Sequence, residues 1–437
     1  MFKKFILLSL LSVLLSTSAA DAQLNQVFGK IFDEFLKTGF ARGSPGQHGQ
    51  HFLKADTVAR EELSRALNSL VAGNVSSFPL SATAAGVTFD FSTGLPVSIA
   101  KSLGPIFAET ATTLGKGKVN LGYNFTYLSL SKFRGLPTRD IRFTFTHEDV
   151  GNSGVLGDNV NESDLVDIFL DLDVSASVFA FFATAGVTNN LDIGVAVPVA
   201  NISLSGNARA VVNSFTFARN DSANHHFGGN NKNPKLTENV RYNESAAGLG
   251  DIAVRLKYGF LRGADIDLAA LLDVRIPTGN EQNFLGLGKS NVRLSWIMSK
   301  KIKDFTPHLN LGYDRRVADL DSDELELALG FDQKIAAGVT FAAEFLGEFD
   351  LKRDEAITLF PGAVTIVDQP APQSRYVRQV DLSNVPDRSN DHALNAALGF
   401  RIAPSEHVLL LGNMLVSLND GGLRSNVAPT LGVAVNF

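Results

Sequence analysis

The sequence contains no cysteine among its 437 residues. A chain without thiols forms no disulfides, no thiolate metal sites and no lipid-modified N-terminal cysteine, so disulfide scaffolds and lipoproteins are excluded. Side-chain packing and backbone pairing must therefore hold the fold together.

Clusters of basic residues are also lacking beyond the N-terminus. The chain has 39 Lys and Arg against 45 Asp and Glu, which gives a formal net charge of -6. Nucleic acid is bound by concentrated Lys and Arg, because these residues neutralise phosphates. We therefore exclude nucleic acid as a partner. With 45% hydrophobic residues, the chain is also too apolar to be disordered.

Apolar runs of helix length are missing as well. The run near the N-terminus covers residues 5–15, well short of the roughly 20 residues that a membrane-spanning helix needs. Lysines precede it and a small-residue site at residues 20–22 follows, which is the layout of a cleaved secretory signal. We predict that residues 1–22 are a signal peptide, with a membrane anchor as the less favoured alternative.

The first part of the mature chain has apolar residues at helical spacing. One stretch begins at Leu24 and ends at Gly39, and a second begins at Asp56 and ends at Gly73; glycine commonly ends a helix. The Gly-, Gln- and His-containing stretch between them favours a flexible joint. We predict a partly helical segment over residues 23–116.

From Gly117 onward, apolar and polar residues alternate with a period of two. In one example, Ile252, Val254, Leu256, Tyr258 and Phe260 alternate with Asp251, Arg255 and Lys257. This pattern predicts strands with one apolar and one charged face. Such strands occur in soluble antiparallel sheets and in membrane barrels.

Three observations favour the membrane barrel. The alternating segments are about 10 to 15 residues long, whereas soluble strands are usually about 5 to 6. In a secreted chain without a spanning helix, only a closed barrel satisfies its backbone groups in lipid. Long connections, such as residues 131–164 and 352–390, also alternate with short ones, such as residues 185–190 and 403–405. That alternation is typical of external loops and periplasmic turns.

The alternation also predicts the number of strands. Segments begin near residues 117, 165, 191, 249, 264, 289, 304, 322, 338, 391, 405 and 423, which gives about 12. Residues 140–147 then form a strand within the first external loop. If they crossed the membrane together with residues 86–91, the count would be 14. We predict an all-β fold, a transmembrane antiparallel up-and-down β-barrel over residues 117–437 with about 12 strands.

Four stretches of the chain carry a family resemblance. "ETATTLGKGKVNLGYNFTYL", "GVTNNLDIGVAVPV", "GLGDIAVRLKYGFL" and "RIPTGNEQNFLGLGKSNVRLSW" resemble blocks of the outer-membrane transporter family labelled "putative MetA-pathway of phenol degradation". The most specific blocks are Gly248-Leu249-Gly250-Asp251 and Pro277-Thr278-Gly279. The resemblance implies an outer-membrane barrel that admits aromatic or other hydrophobic compounds, related in design to long-chain fatty-acid channels.

The phase of the alternation predicts which side chains line the lumen. The charged candidates for the lumen or substrate path are Asp251, Arg255, Lys257, Asp267, Asp273, Arg275, Arg293, His308 and Glu344, and the aromatic candidates are Phe179 and Phe181. Opposite charges on adjacent strands predict cross-strand pairs, such as Arg255 with Asp267. These pairs either rigidify the lumen or select a substrate. Apolar lumen residues are typical of a channel for hydrophobic compounds, since aqueous porins have a polar interior.

The N-terminal segment has apolar helix faces to bury, and the lumen is an available surface. We predict a plug that is partly inserted, with the remainder in the periplasm, because the segment is too long to fit inside a 12-strand barrel.

The sequence thus favours an outer-membrane channel of a Gram-negative cell that passively admits small hydrophobic compounds, aromatic ones included. Its predicted partners are outer-membrane lipid, the outer-membrane assembly machinery and a small hydrophobic solute. The alternatives are a barrel hydrolase using His308 or His407, and a structural or adhesion barrel.

We predict no cofactor and no metal. His225 and His226 near Asp221 could bind a metal, as could His48 and His51, but histidines in polar loops are more often solvated.

The chain closes on "NVAPTLGVAVNF", a strand pattern with a terminal aromatic, Phe437, which resembles the signal read by the outer-membrane assembly machinery. We expect deletion of Phe437 to reduce the amount of folded barrel far more than the transport per folded molecule. Heat-modifiable gel migration of unboiled membranes measures the folded fraction. Equal folded amounts with and without Phe437 would contradict the assignment.

Overall fold

Twelve antiparallel strands close into a β-barrel in the computed structural model, which describes residues 23–76, 86–90, 97–98, 106–263, 266–316, 323–351, 362–371, 374–388, 390–405 and 408–435. The strands are β1 (Lys118–Leu130), β2 (Leu165–Gly186), β3 (Leu191–Asn213), β4 (Ile252–Arg262), β5 (Asp267–Ile276), β6 (Asn291–Ser299), β7 (Phe305–Arg315), β8 (Glu324–Ala336), β9 (Val339–Asp350), β10 (Ala393–Ser405), β11 (Val408–Ser417) and β12 (Val427–Val435). Each strand pairs with the next, and β12 pairs with β1. The predicted transmembrane barrel of 12 strands is confirmed.

The alternative of 14 spanning strands is wrong. Ile141–Thr146 pairs in the barrel sheet only with residues 165–170 of β2, so it is a loop strand, as the favoured prediction had it. Gly86–Asp90 pairs with residues 118–122 of β1 and with the two-residue strand Val97–Ser98. Neither segment belongs to the closed ring, because both neighbours of each ring strand are already ring strands.

Side chains alternate between the two faces of the wall as the period of two predicts. On β4, Val254 and Tyr258 are 39% and 50% exposed, whereas Arg255 and Lys257 between them are 6% and 5% exposed. The apolar row therefore faces outward to lipid and the charged row faces the lumen. On β12, Leu431 points outward and Thr430 is buried. Phe437 lies outside the described residues.

The two ends of the barrel differ in their connections. Tight connections at residues 187–190 and 337–338 lie at one edge, here named the turn end, and long connections such as 131–164 and 351–392 lie at the other, the loop end. In barrels of this kind the short turns are periplasmic and the long loops external. Strands β2 and β3 are 22 and 23 residues long, so the wall is tallest there on the loop side.

Short strands and 3₁₀ turns lie at the loop end. The strands are Lys132–Phe133, Leu136–Pro137, Gly229–Asn230, Asn233–Pro234, Thr237–Leu249, Ala363–Ala371, Ser374–Asp381 and Leu423–Arg424, and the 3₁₀ turns are Thr138–Asp140, Val160–Ser163 and Glu281–Asn283. Thr237–Leu249 pairs along β3 and extends the tall part of the wall.

Two long helical stretches precede the barrel. Helix α1, residues 24–43, comprises Leu24–Gln26, Val27–Asp33, Glu34–Gly39 and Phe40–Gly43; helix α2, residues 53–76, comprises Leu53–Val58, Ala59–Leu63 and Ser64–Ser76. A short helix, α3 (Phe215–Asn220), lies in the loop after β3. None of the helices in the described ranges is long and apolar enough to cross a membrane.

Gly39 does not end the first helix, contrary to the sequence-based expectation. Its backbone is helical, with φ -63 and ψ -45, and α1 continues to Gly43. A Cβ at Gly39 would lie 3.0 Å from Cδ1 of Phe227, so the glycine serves close packing against the loop after α3. Gly73 likewise lies inside α2. The predicted flexible joint contains an ordered 3₁₀ turn, Gly46–Gly49.

Helices α1 and α2 occupy the loop end, and this corrects the expectation that the part outside the lumen is periplasmic. The Phe32 ring contacts Phe143 and Phe145 with centroid distances of 6.4 and 5.9 Å. The helices share one apolar cluster with the inward rows of the upper β2 and β3, for example Ile168 and Ile202. The reason is physical: the tall wall offers the largest apolar surface there, and the amphipathic helices bury their apolar faces on it. The pair α1 and α2 is hereafter named the helical cap.

Replacement of Phe32 by alanine tests this docking. Phe32 is fully buried, so we expect the substitution to weaken cap docking by about 3–5 kcal/mol, the usual cost for a buried Phe. Limited proteolysis of the folded protein should then cut within residues 23–76 much faster, while heat-modifiable migration of the barrel stays unchanged. Lys30→Ala, on the exposed face of the same helix, is the matched control. Equal cleavage rates in both variants would show that the cap is not held by this contact.

Candidate functional site

A chain of ion pairs runs along the lumen side of neighbouring strands. Arg255 Nε lies 2.8 Å from Asp273 Oδ2, and the same carboxylate lies 3.2 Å from Arg293 Nη2. Arg293 also contacts Glu326 on β8 at 3.0 Å. The strand register produces this chain, because Arg255 faces Asp273 and Asp273 faces Arg293 directly across adjacent strands. Two arginines and two carboxylates therefore pair with one another, and Arg255 and Asp273 are buried while Arg293 and Glu326 are partly exposed.

The predicted pairing of Arg255 with Asp267 is wrong. In the observed register Asp267 faces Arg262 and Ser299 at the turn end, six residues along β5 from Asp273. Arg275 faces Ala253 and Asn291 near the loop end, on the lumen side of β5. Sequence phase assigns a strand residue to a face, but only the register decides its partner.

A segment before the first strand crosses the lumen. Residues 106–114, here named the lumenal strap, are held by side chains from separate strands. The backbone N–H of Glu109 donates to Asn310 Oδ1 on β7 at 2.6 Å, that of Ala111 to Ser299 Oγ on β6 at 3.0 Å, and that of Leu114 to Asp192 on β3 at 2.9 Å. Inward polar residues of the wall thus act as partners for an extended backbone.

Glu109 joins the strap to the ion-pair chain. Its carboxylate oxygens lie 3.4 Å from Arg255 Nη1 and 3.3 Å from Lys257 Nζ. Glu109, Arg255 and Lys257 are all buried. The cavity left beside Glu109 is about 20 Å³, room for about one water molecule. The strap therefore fills this part of the lumen.

The other end of the strap is bound by Glu344 on β9. This carboxylate accepts backbone hydrogen bonds from Ile106, from Phe107 at 2.8 Å and from Ala108 at 3.1 Å. His308 lies behind it, with Nε2 3.6 Å from Glu344 and Nδ1 3.8 Å from Asp332. His308 and Glu344, both predicted to line the lumen, are buried and lie close together. They hold the strap in place and do not face an open lumen.

Asp251 has a different place from the other acidic candidates. Its carboxylate accepts from the backbone N–H of Gly279 at 2.9 Å and of Leu287 at 3.0 Å, while Thr278 Oγ1 donates to the carbonyl of Gly250 at 2.7 Å. The two family blocks of the sequence therefore meet in space, where they brace the loop between β5 and β6. Asp251 organises the loop end and does not line the middle of the lumen.

Phe179 and Phe181 do not line the lumen, contrary to prediction. Phe179 is 45% exposed and packs on Phe125 across the outer face, and Phe181 contacts Tyr123 there. The inward residues of this part of β2 are Val178, Ala180 and Phe182. Both faces of the strand are apolar here, so the sequence does not indicate which face points into the lumen.

A chamber of about 820 Å³ lies between the helical cap and the inner wall of the barrel. Its cap side includes Arg60, Glu61, Ser64, Arg65, Asn68 and Gly73, and its wall side includes Leu128, Leu130, Arg316, Glu324, Glu348, Ala393, Asn395, Leu415, Ser417, Arg424 and Ala428. Leu415 also packs on the cluster around Ile106, so the strap lies directly beneath the chamber. The lining combines apolar side chains with charges of both signs.

Sequence reasoning missed the residues that shape this chamber. Arg424, in the loop before β12, donates to Asn419 Oδ1 at 3.0 Å and to the carbonyl of Leu394 at 3.2 Å. Burial lowers the pKa of its guanidinium from the ordinary value, an effect that the carboxylates of Glu348 and Asp420 oppose. Glu109 was missed because nothing in its local sequence marks it as a lumen residue. His407 lies outside the described residues.

Comparison with solved structures gives matches of low similarity. An outer membrane channel of Pseudomonas putida F1 is 12% identical, with a TM-score of 0.38, covering 76% of this chain and 100% of that one. A FadL homologue of Pseudomonas aeruginosa is 10% identical (TM-score 0.31) and the P. putida toluene transporter TodX 9% identical (TM-score 0.30); each alignment covers 72% of this chain and 88% of the other. Similarity at this level says nothing about what this chain binds.

No curated protein matches the sequence significantly. A family model does: the one described as "Putative MetA-pathway of phenol degradation" matches residues 156–422, more than half of the chain. These residues run from the start of β2 to the loop before β12, so the match covers most of the barrel. The resemblance seen in the sequence is confirmed, and the chain belongs to this family of outer-membrane β-barrel proteins.

Proposed function

We propose that the protein is a passive outer-membrane channel for small compounds with an apolar, aromatic body and a polar substituent. The observation that carries this proposal is the chamber of about 820 Å³ between the helical cap and the barrel wall. Its size lies in the range of small-molecule sites in proteins, roughly 300–1,000 Å³. The export signal in the sequence and the lipid-facing apolar rows support placement in the outer membrane.

The chamber lining favours this class of compound. Leu128, Leu130 and Leu415 present apolar surface, which a hydrocarbon body would cover. Arg65 on the cap can donate to a hydroxyl or carboxylate, whereas Arg316 and Arg424 on the wall already have protein partners. A purely aliphatic compound would cover Arg65 without offering it an acceptor, so it is disfavoured. Phenols and aromatic acids match both parts of the lining, in keeping with the description of the family.

Passage requires the strap to move. The strap crosses the lumen on the turn-end side of the chamber, and beside Glu109 there is room for about one water only. Its backbone is held by side-chain acceptors rather than by a continuous strand ladder, so it can leave without breaking the barrel sheet. The strap thus serves as the inner gate and the cap as the outer lid of a diffusion path.

A hydrolase receives no support from the site. His308 is 2% exposed and lies between Asp332 and Glu344, behind the strap, so an ester could not reach its ring nitrogens.

Filling the chamber tests the path. Ala393 lies on the inward row of β10 and lines the chamber, so Ala393→Trp should reduce uptake of phenol and benzoate into proteoliposomes severalfold by occupying the space a solute needs. Leu398→Trp, on the outward row of the same strand, is the matched control and should leave uptake unchanged. The path proposed here would be refuted if wild-type protein passed neither solute, or if both tryptophan variants behaved as wild type.

Releasing the strap tests the gate. Glu344→Ala removes an acceptor shared by three backbone N–H groups, each costing about 1–3 kcal/mol when left unpaired, so the bound strap should be strongly destabilised. We expect higher single-channel conductance in planar bilayers and faster labelling of a cysteine introduced at residue 108. Glu326→Ala removes an inward carboxylate that does not contact the strap and is the control. Unchanged conductance in a Glu344→Ala protein of normal heat-modifiable migration would argue against a gating strap.

A further inference from the structure

Four histidine rings from three distant parts of the chain meet at the loop end. His48 and His51 come from the connection between α1 and α2, His147 follows Ile141–Thr146, and His225 follows α3. The ring centroids of His51 and His147 are 4.4 Å apart, those of His147 and His225 4.8 Å, and those of His48 and His225 5.6 Å. The cluster therefore joins the helical cap to two external loops.

The outer hydrogen bonds of two rings fix their tautomers. His147 Nδ1 lies 2.5 Å from the carbonyl oxygen of Glu148, which can only accept, so the proton is on Nδ1. His225 Nδ1 lies 2.8 Å from the buried carboxylate of Asp164 and donates to it in the same way. When these rings are neutral, Nε2 of each is unprotonated and carries a lone pair. A carboxylate or carbonyl that holds the far nitrogen of a histidine is the usual outer partner in metal sites.

The two lone pairs converge on one nitrogen of a third ring. His51 Nδ1 lies 2.7 Å from His147 Nε2 and 3.3 Å from His225 Nε2. A single proton on His51 Nδ1 could be donated to only one of them, so three neutral rings leave at least one lone pair without a donor. One cation placed among the three nitrogens would accept all of the lone pairs at once.

The spacing of the donors suits a transition metal. Ligand atoms of His48, His51 and His225 all lie within 4.8 Å of one another. Nitrogens bound to one tetrahedral zinc ion at about 2.0–2.1 Å are about 3.3–3.4 Å apart, close to the separation of His51 Nδ1 and His225 Nε2. His51 Nδ1 and His147 Nε2, which are 2.7 Å apart, would have to separate slightly to bind the same ion. His48 Nδ1 is buried and has no hydrogen-bond partner among the described residues, so it is available as a further ligand.

The surroundings of the cluster are those of a built site. His225 is fully buried and His147 is 3% exposed. The expectation that the loop histidines are solvated is wrong for His225 and for His226, which is 2% exposed. Phe52 packs edge-on against both rings, with centroid distances of 5.5 and 5.6 Å, and stacks on Phe40. This apolar floor excludes water from one side. Asp164 is itself held by the backbone N–H of Phe215 at 2.6 Å, at the start of α3.

We propose that His48, His51, His147 and His225 bind one divalent transition-metal ion of the zinc type, which clamps the helical cap to the external loops. Imidazole ligands suit zinc, copper and nickel, whereas calcium and magnesium require oxygen donors. Because the ligands come from the cap and from the loops before β2 and β4, bound metal lowers the free energy only of the docked cap. The site lies outside the chamber and does not depend on the proposed transport function.

Metal titration of the untagged, full-length protein in detergent tests the site. After dialysis against EDTA, Co²⁺ should bind at one equivalent per chain and give the intense visible absorption of a tetrahedral nitrogen site, and Zn²⁺ should displace it. We expect the double variant His51→Ala/His225→Ala to lose this absorption. Zn²⁺ should also slow proteolysis within residues 23–76 of the wild type but not of the double variant.

Two further variants separate ligation from folding. His226→Ala changes a buried neighbouring histidine whose Nε2 lies 3.3 Å from Asn231 Oδ1, outside the cluster, and should bind Co²⁺ like the wild type. Asp164→Asn keeps a similar shape but removes the charge behind His225, and should weaken binding about 10–100-fold. Heat-modifiable migration confirms that each variant is folded. The proposal is overturned if the wild type binds no stoichiometric Co²⁺, or if the folded double variant binds as tightly as the wild type.

Discussion

Closure of the backbone in lipid is the constraint on which the rest of the structure depends. A strand in the hydrocarbon layer has no water to pair with, so an open sheet edge would cost several kcal/mol for each exposed backbone group. The ring closes where β12 meets β1, and there the direct pairing is short: Thr430–Val433 face Tyr123–Thr126. The hydroxyls of Thr126 and Thr430 lie 3.0 Å apart on the inner side of this seam. The turn-end half of β1 is instead covered by Gly86–Asp90, so a segment from outside the ring completes the edge where β12 does not.

Closure decides the chemistry of the interior. Once apolar rows face lipid, every charged row is forced into a narrow lumen, where a charge without a partner is costly. The wall places Arg255, Lys257 and Arg293 close together against Asp273 and Glu326. Glu109 of the strap supplies a further carboxylate to Arg255 and Lys257. The strap is therefore held by ion pairs as well as by its backbone hydrogen bonds. The sequence alone assigns these wall charges to a polar lumen, whereas in the structure they bind a segment of the same chain.

The sequence predicts those features that depend on local pattern. Strand number, the outward rows of β4 and β12 and the loop status of residues 140–147 all follow from a period of two and from connection length. Prediction fails where both faces of an element have the same polarity, or where the contacting residues are far apart in the sequence. Phe179 and Phe181 alternate with Val178 and Ala180, so both faces look alike, and Gly39 has the residue type of a helix stop but the packing of a helix interior. The partner of Arg255 depends on a strand register, and His51, His147 and His225 are brought together only by folding.

The N-terminal part of the chain supplies both the cap and the strap. The helical cap and the strap both precede the first barrel strand, yet the cap packs on the loop end while the strap is anchored to Glu344, Asn310 and Asp192 nearer the turn end. In the proposed channel, a solute would pass the cap at one side and the strap at the other. A cation bound by the four histidines would hold the helical cap against the external loops, so the free energy of metal binding would oppose undocking of the cap. The side chains that accept hydrogen bonds from the strap would not be affected.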